Sequence, residues 1–117
     1  MAANMWKNAR DLVAFEVGQV VFEKGDAGDV MYAVVEGAVD IVRNGKVIES
    51  LVDGDIFGEL ALVDDSPRNA SAVVTKPSRL ARVDQKQFTF LVHEHPTFAL
   101  TVMHVLADRL RRANDRA

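Results

Sequence analysis

Val39-Asp40-Ile41-Val42-Arg43-Asn44-Gly45-Lys46-Val47-Ile48 decides the fold class. An Asn-Gly pair between two apolar runs is the strongest short-range hairpin signal, because both residues tolerate the positive φ of a tight hairpin turn. Upstream, Val20-Val21-Phe22 runs into Gly25-Asp26-Ala27-Gly28-Asp29, and Val30-Met31-Tyr32-Ala33-Val34-Val35 leads to a turn at Gly37. Downstream, Asp53-Gly54-Asp55 turns the chain again, and Ala70-Ser71-Ala72-Val73-Val74 and Leu80-Ala81-Arg82-Val83 give two more short apolar runs. Short strands divided by turn signals at this spacing predict a mainly β fold, a short-stranded β-barrel or jelly roll, over about residues 12–83.

After Val83 the period changes. Asp84 is placed to cap a helix running to about His93, with Phe88, Leu91 and Val92 on one face. His95-Pro96 breaks it, and from Thr97 the residues Phe98, Val102, Val105, Leu106 and Leu110 recur at helical spacing, with Ala99 and Met103 widening the stripe. The C-terminal helices are thus expected over about residues 84–115. This stripe either packs on the barrel or serves as a contact surface.

Inside the β region, Phe57-Gly58-Glu59-Leu60-Ala61-Leu62 and then Pro67-Arg68-Asn69-Ala70-Ser71 stand out. Gly58 lets backbone approach a ligand without a Cβ in the way, and Glu59 to Leu62 are good helix formers, so a short helix with exposed N–H groups is expected there. Arg68, beyond the turn-forming Asp64-Asp65-Ser66-Pro67, can set a planar five-donor guanidinium against phosphate oxygens, and Ser71 adds a hydroxyl. Glu59 would repel a phosphate and makes sense only when aimed at another part of the ligand, such as a sugar hydroxyl. Each residue also has a plainer reading. Arg68 can be a surface arginine paired to Asp64 or Asp65, Glu59 a first-turn charge on a helix dipole, and Ser71 an ordinary strand hydroxyl.

These residues resemble the phosphate-binding cassette of the cyclic nucleotide-binding domains, catabolite-activator-like and cAMP-binding domains included: Phe-Gly-Glu, an aliphatic residue, Ala-Leu, a gap, then Pro-Arg-x-Ala-Thr or Ser. The similarity runs over roughly residues 12–115, through Gly18, Gly25, Gly37 and Gly54. The resemblance implies a ligand site built from Phe57, Gly58, Glu59, Leu60, Ala61, Arg68, Asn69, Ala70 and Ser71. Gly58, Leu60 and Ala61 would offer backbone amides, Arg68 would pair with the cyclic phosphate, and Glu59 would take the ribose 2′-hydroxyl. Asn69 stands where a hydroxyl residue in the family often contributes to guanine recognition, and its amide both donates and accepts, so cAMP is favoured over cGMP only narrowly. Where some relatives place a threonine or serine on the long helix against adenine, this chain has Ala113-Asn114, with Arg109 or Arg112 as alternative base contacts. The long helix would lid the nucleotide or pair in a homodimer. Family members that regulate transcription continue into a helix-turn-helix, for which the residues up to Ala117 leave no room, so no direct DNA binding is expected of this chain.

Composition sets the outer limits. A length of 117 residues is that of one domain able to bury about two-thirds of its unfolded surface. Apolar residues make up 49 % and charged residues 26 %, values of a folded chain. The absence of cysteine excludes disulfides, iron–sulfur clusters and thiolate catalysis. No apolar run reaches membrane-spanning length and Met1 to Lys7 lack a secretory core, so a cytoplasmic protein without membrane contact is expected. A net charge of −3 argues against a nucleic-acid footprint over the whole domain. His93, His95 and His104 all fall in the helical part, where solvated or capping roles are expected rather than a metal site. Trp6 reads as an amphipathic packing residue.

Three functions are consistent with this pattern: a cyclic nucleotide sensor, an interaction or dimerisation module that no longer binds nucleotide strongly, and a small barrel enzyme. The third lacks a nucleophile, metal or acid–base pair beside the cassette and ranks last. Gly58, Glu59 and Arg68 together favour the first, with a cyclic nucleotide as ligand, no cofactor, and an effector protein that the sequence does not name.

Overall fold

The computed structural model describes residues 12–116, so Trp6 lies outside the described residues. Its strands are β1 (Leu12–Phe15), β2 (Val20–Phe22), β3 (Val30–Arg43), β4 (Lys46–Val52), β5 (Ile56–Phe57) and β6 (Ser71–Asp84). A short 3-10 helix spans Glu59–Leu62, and two helices follow, α1 (Gln85–Glu94) and α2 (Thr97–Arg116). The chain divides after Gln85 into two compact units.

The first unit is organised by one long antiparallel ribbon. β3 pairs with β6 from Val30 opposite Asp84 to Val42 opposite Ser71. β5 joins the first half of β3 and β4 the second half, while β1 joins the second half of β6 and β2 the first. Asn44 (φ 53) and Gly45 (φ 78) form the β3–β4 hairpin, both in the left-handed conformation that such a turn needs. Val30, Tyr32, Val34, Val39, Leu51, Phe57, Ala72, Val74 and Leu80 make the buried core, with Phe15, Val21, Phe22 and Ile41 packed against it.

Gly37 does not end a strand, contrary to the sequence reading, and neither does the stretch between Val74 and Leu80. β3 and β6 each run unbroken for 14 residues. The ribbon is bulged instead, with register shifts between Val34 and Val39, and such bulges bend the strand that carries them. At the bend Gly37 has φ 119, and a Cβ there would fall 2.1 Å from Ser78 Oγ and 2.7 Å from Ser78 Cα. Ser78 supplies what the interrupted ladder leaves out: its buried hydroxyl accepts from Ala38 N at 3.1 Å and donates to Lys76 O at 2.6 Å. Pro77, which has no N–H to give, sits at this irregularity, where a strand tolerates proline.

In the second unit, His95 N donates to Leu91 O (2.7 Å) and Phe98 N to His95 O (2.8 Å), carrying the chain from α1 into α2 around Pro96. The Phe88 and Phe98 rings meet at 5.6 Å. The apolar stripe of α2 is narrower than its sequence implies. Phe98 and Val102 are buried and Val105 and Leu106 half-buried, but Met103 and Leu110 are exposed, as is Leu100. At about 100° per residue, Leu100 and Met103 fall on the side of the helix away from Phe98, Val102 and Val105, and Leu110 lies on the flank between them and Leu106. No helix among the described residues is long and apolar enough to cross a membrane.

Candidate functional site

β5 delivers Phe57, 1 % exposed, into the core opposite Tyr32. Gly58 then turns the backbone at φ 75, a conformation open to glycine, and the 3-10 helix begins at Glu59. Ala61 N closes this turn onto Gly58 O at 3.2 Å, while Val63 N and Asp64 N both reach Leu60 O. Asp64 Oδ1 accepts from Ser66 N at 2.9 Å, starting the loop back toward Arg68. Two backbone bonds then strap the loop to a second segment: Arg68 N donates to Asp26 O (2.8 Å) and Gly25 N to Arg68 O (2.7 Å). The turn containing Gly25 is itself held by Asp26 Oδ2, which accepts from Glu23 N at 3.0 Å.

Arg68 therefore points inward. It is 9 % exposed and pairs with neither Asp64 nor Asp65; Nη1 donates to Gly58 O at 3.0 Å and Nη2 to Val30 O at 2.7 Å. Its Cζ lies 4.0 Å from the centroid of the Phe22 ring. A guanidinium over an aromatic face gains on the order of 0.5–2 kcal/mol, more as water is excluded. Burial pushes the Arg68 pKa down, and electrostatic interaction with Tyr32, Asp29, Glu59 and Asp26 acts against that shift. An arginine remains protonated under such a perturbation, so what the site holds is a poorly solvated cation. Nε is buried without a hydrogen-bond partner. Each Nη also keeps a second N–H beyond the one given to a carbonyl. The guanidinium can therefore present a pair of donors to an anion while its backbone anchors stay made.

Glu59 is buried at 4 % exposure, deeper than a first-turn surface charge would be. Leu60 is exposed, Ala61 half-buried, Asn69 exposed and Ala70 buried. Ser71 opens β6, and its hydroxyl accepts from Lys24 N at 2.9 Å, which leaves its own proton to donate. The residues from Phe57 to Ser71 thus converge on one loop system of the first unit. Arg109 and Arg112 belong to α2 in the second unit, where Arg109 is half-buried and Arg112 adds its charge to the surroundings of Asp108. Among the described residues no group of three or more His, Asp or Glu is arranged to hold a metal ion.

Phe22, Gly28 and the Val30 carbonyl were missed by the sequence reading as parts of this site. Gly28 had a signal, since Gly25-Asp26-Ala27-Gly28-Asp29 spaces two glycines with carboxylates as loops do when backbone closes on another group. Phe22 had none, because an aromatic residue ending a strand reads as core.

The profile of the Cyclic nucleotide-binding domain matches residues 12–95. The chain belongs to the cyclic nucleotide-binding domain family. It is 36 % identical over 86 residues to a cAMP-dependent protein kinase regulatory subunit of Schizosaccharomyces pombe, covering 73 % of this chain and 21 % of that protein. The crystal structure of Thermus thermophilus catabolite activator protein superimposes with a TM-score of 0.79 at 30 % identity, over 88 % of this chain and 51 % of that one. The structure of the EAL enzyme Bd1971 in a half-site-occupied form matches with a TM-score of 0.69 at 35 % identity, over 91 % of this chain and 98 % of that one. The chain spans about half or less of the length of the curated relatives it matches first. These likenesses support the jelly-roll reading of the bent ribbon.

Proposed function

We propose that this domain is a cytoplasmic sensor that binds cAMP in preference to cGMP and passes the event on through its C-terminal helices, without catalysing a reaction itself. The observation that carries this reading is the buried Arg68 guanidinium, anchored to two carbonyls yet with N–H groups left to give. A cyclic phosphate carries one negative charge and two exocyclic oxygens, which suit a planar pair of donors. The Ser71 hydroxyl adds a third donor, and the buried Glu59 carboxylate suits a ribose 2′-hydroxyl. The preference for cAMP rests on the kinase regulatory subunit named for it. Transmission follows if contacts at Arg68 and Glu59 favour one arrangement of the helices over another, by no more than the ligand's differential affinity.

One observation favours a further role for α2 as a contact surface, in a homodimer or with an effector. Leu100, Met103 and Leu110 are all exposed on one side of it. Single exposed apolar residues are ordinary, whereas three at helical spacing form a stripe.

Calorimetric titration with cAMP, cGMP and 5′-AMP tests the ligand. Saturable binding of cAMP, weaker binding of cGMP and none of 5′-AMP is expected. Equal binding of 5′-AMP would overturn the cyclic-phosphate reading. Equal affinities for the two cyclic nucleotides would overturn the base preference alone.

A further inference from the structure

We propose that Gly28 and Phe22 are positioning residues that fix the Arg68 guanidinium for its anionic ligand, with Gly28 as the selective one. This deepens the cyclic nucleotide reading and rests on it. A Cβ built on Gly28 falls 2.3 Å from Arg68 Nε, 2.5 Å from Cζ and 2.7 Å from Nη2. No φ in the left-handed region sets this glycine apart, unlike Gly25, Gly37 and Gly58, so backbone conformation does not explain its presence. What explains it is room for one side chain. Gly58 stands on the opposite end of the same group, where a Cβ would come within 2.8 Å of Nη1, and the Phe22 ring faces Cζ at 4.0 Å. Val30 O and Gly58 O then fix the rotation of the plane.

The consequence of adding a methyl at Gly28 follows from what it would strike. The clashing atoms are the far end of a long, flexible side chain, so the easiest relief is for the guanidinium to leave its seat while the strands stay in place. That movement breaks the bond to Val30 O and turns the remaining N–H groups away from the ligand. Phe22 acts from another direction, since its loss removes the aromatic surface without adding bulk.

The test uses the 117-residue chain in three measurements on Gly28→Ala, Phe22→Leu, Arg68→Lys and the Gly28→Ala/Arg68→Lys pair: cAMP affinity, melting temperature, and the Nε–Hε NMR signal of Arg68 without ligand. Gly28→Ala is expected to weaken cAMP by tenfold or more with a melting temperature close to wild type, and to add little to the loss caused by Arg68→Lys. Phe22→Leu is expected to weaken binding by a smaller factor, and both single variants to displace the Arg68 signal. Wild-type affinity in Gly28→Ala, or an undiminished further loss in the Arg68→Lys background, would overturn the proposal. An unmoved Nε–Hε signal would overturn it too, whatever the affinity of the wild type. If the wild type binds no cyclic nucleotide yet the signal moves in both variants, the ligand reading fails and the seat itself is established.

Discussion

Gly28 and Gly37 are both glycines with no room for a Cβ, and they hold apart two kinds of structure. At Gly37 the obstacle is Ser78, backbone included, at the bend of the β3–β6 ribbon, and φ is 119. At Gly28 the obstacle is the tip of Arg68. A clash with backbone in the core can be relieved only by moving strands, whereas a clash with a side-chain tip is relieved by moving the tip. The same missing methyl group therefore serves the fold in one place and the site in the other.

Breaking the bend should have the largest effect on stability. Gly37→Ala combines a strained φ with overpacking against Ser78, each costing about 1–3 kcal/mol, and should lower the melting temperature by more than about 10 °C in thermal denaturation. A melting temperature within a few degrees of wild type would mean that the ribbon can bend elsewhere. On the other side of the comparison, Arg68→Lys keeps the charge but loses the planar fork, and cAMP affinity measured by calorimetry should fall about tenfold or more. Unchanged affinity would remove Arg68 from the site.

Glu59→Gln sharpens the account of the cassette. Replacing a charged acceptor by a neutral one weakens a hydrogen bond by about 1 kcal/mol, so cAMP should bind roughly fivefold less tightly, and 2′-deoxy-cAMP should be hardly affected. Equal losses for both ligands would show that Glu59 acts through the structure of the turn.

The smallest effect belongs to α2, where Asp108 is bonded by Arg111 and faces His104 at 3.4 Å. The hydrogen bond from Arg111 holds the exposed Asp108 carboxyl below its ordinary value of 3.8. Because the folded value is the lower one, the carboxylate stabilises the fold above the ordinary value and loses that contribution as pH falls through the folded one. Asp108→Asn should therefore melt slightly below wild type at neutral pH and together with it in strong acid. A gap that persists in strong acid would point to helix propensity instead of charge.

Much of this molecule was legible in its sequence, for identifiable reasons. The Asn44-Gly45 hairpin and the helix break at Pro96 depend on local chemistry, which a sequence displays directly. In the sequence the bend at Gly37 reads as a strand end, because a glycine that interrupts an apolar pattern looks the same whether the chain turns back or merely kinks. What distinguishes them is Ser78, 41 residues away in sequence and supplied only by the register of β6. In the site, Arg68 stood out by its cassette, but its seat is made by Phe22, Gly28 and Val30 from a distant part of the chain. The stripe on α2 was overestimated because periodicity counts apolar residues and does not tell how wide a face its neighbours cover.

The central claim is that one buried arginine turns this fold into a receptor for a cyclic phosphate. Calorimetric titration of cAMP into the wild-type chain and into Arg68→Ala, at two temperatures, tests it most directly. The account predicts saturable binding by the wild type and no measurable binding by the variant while its far-ultraviolet circular dichroism remains that of the folded protein. Equal affinity in a folded Arg68→Ala variant would contradict it.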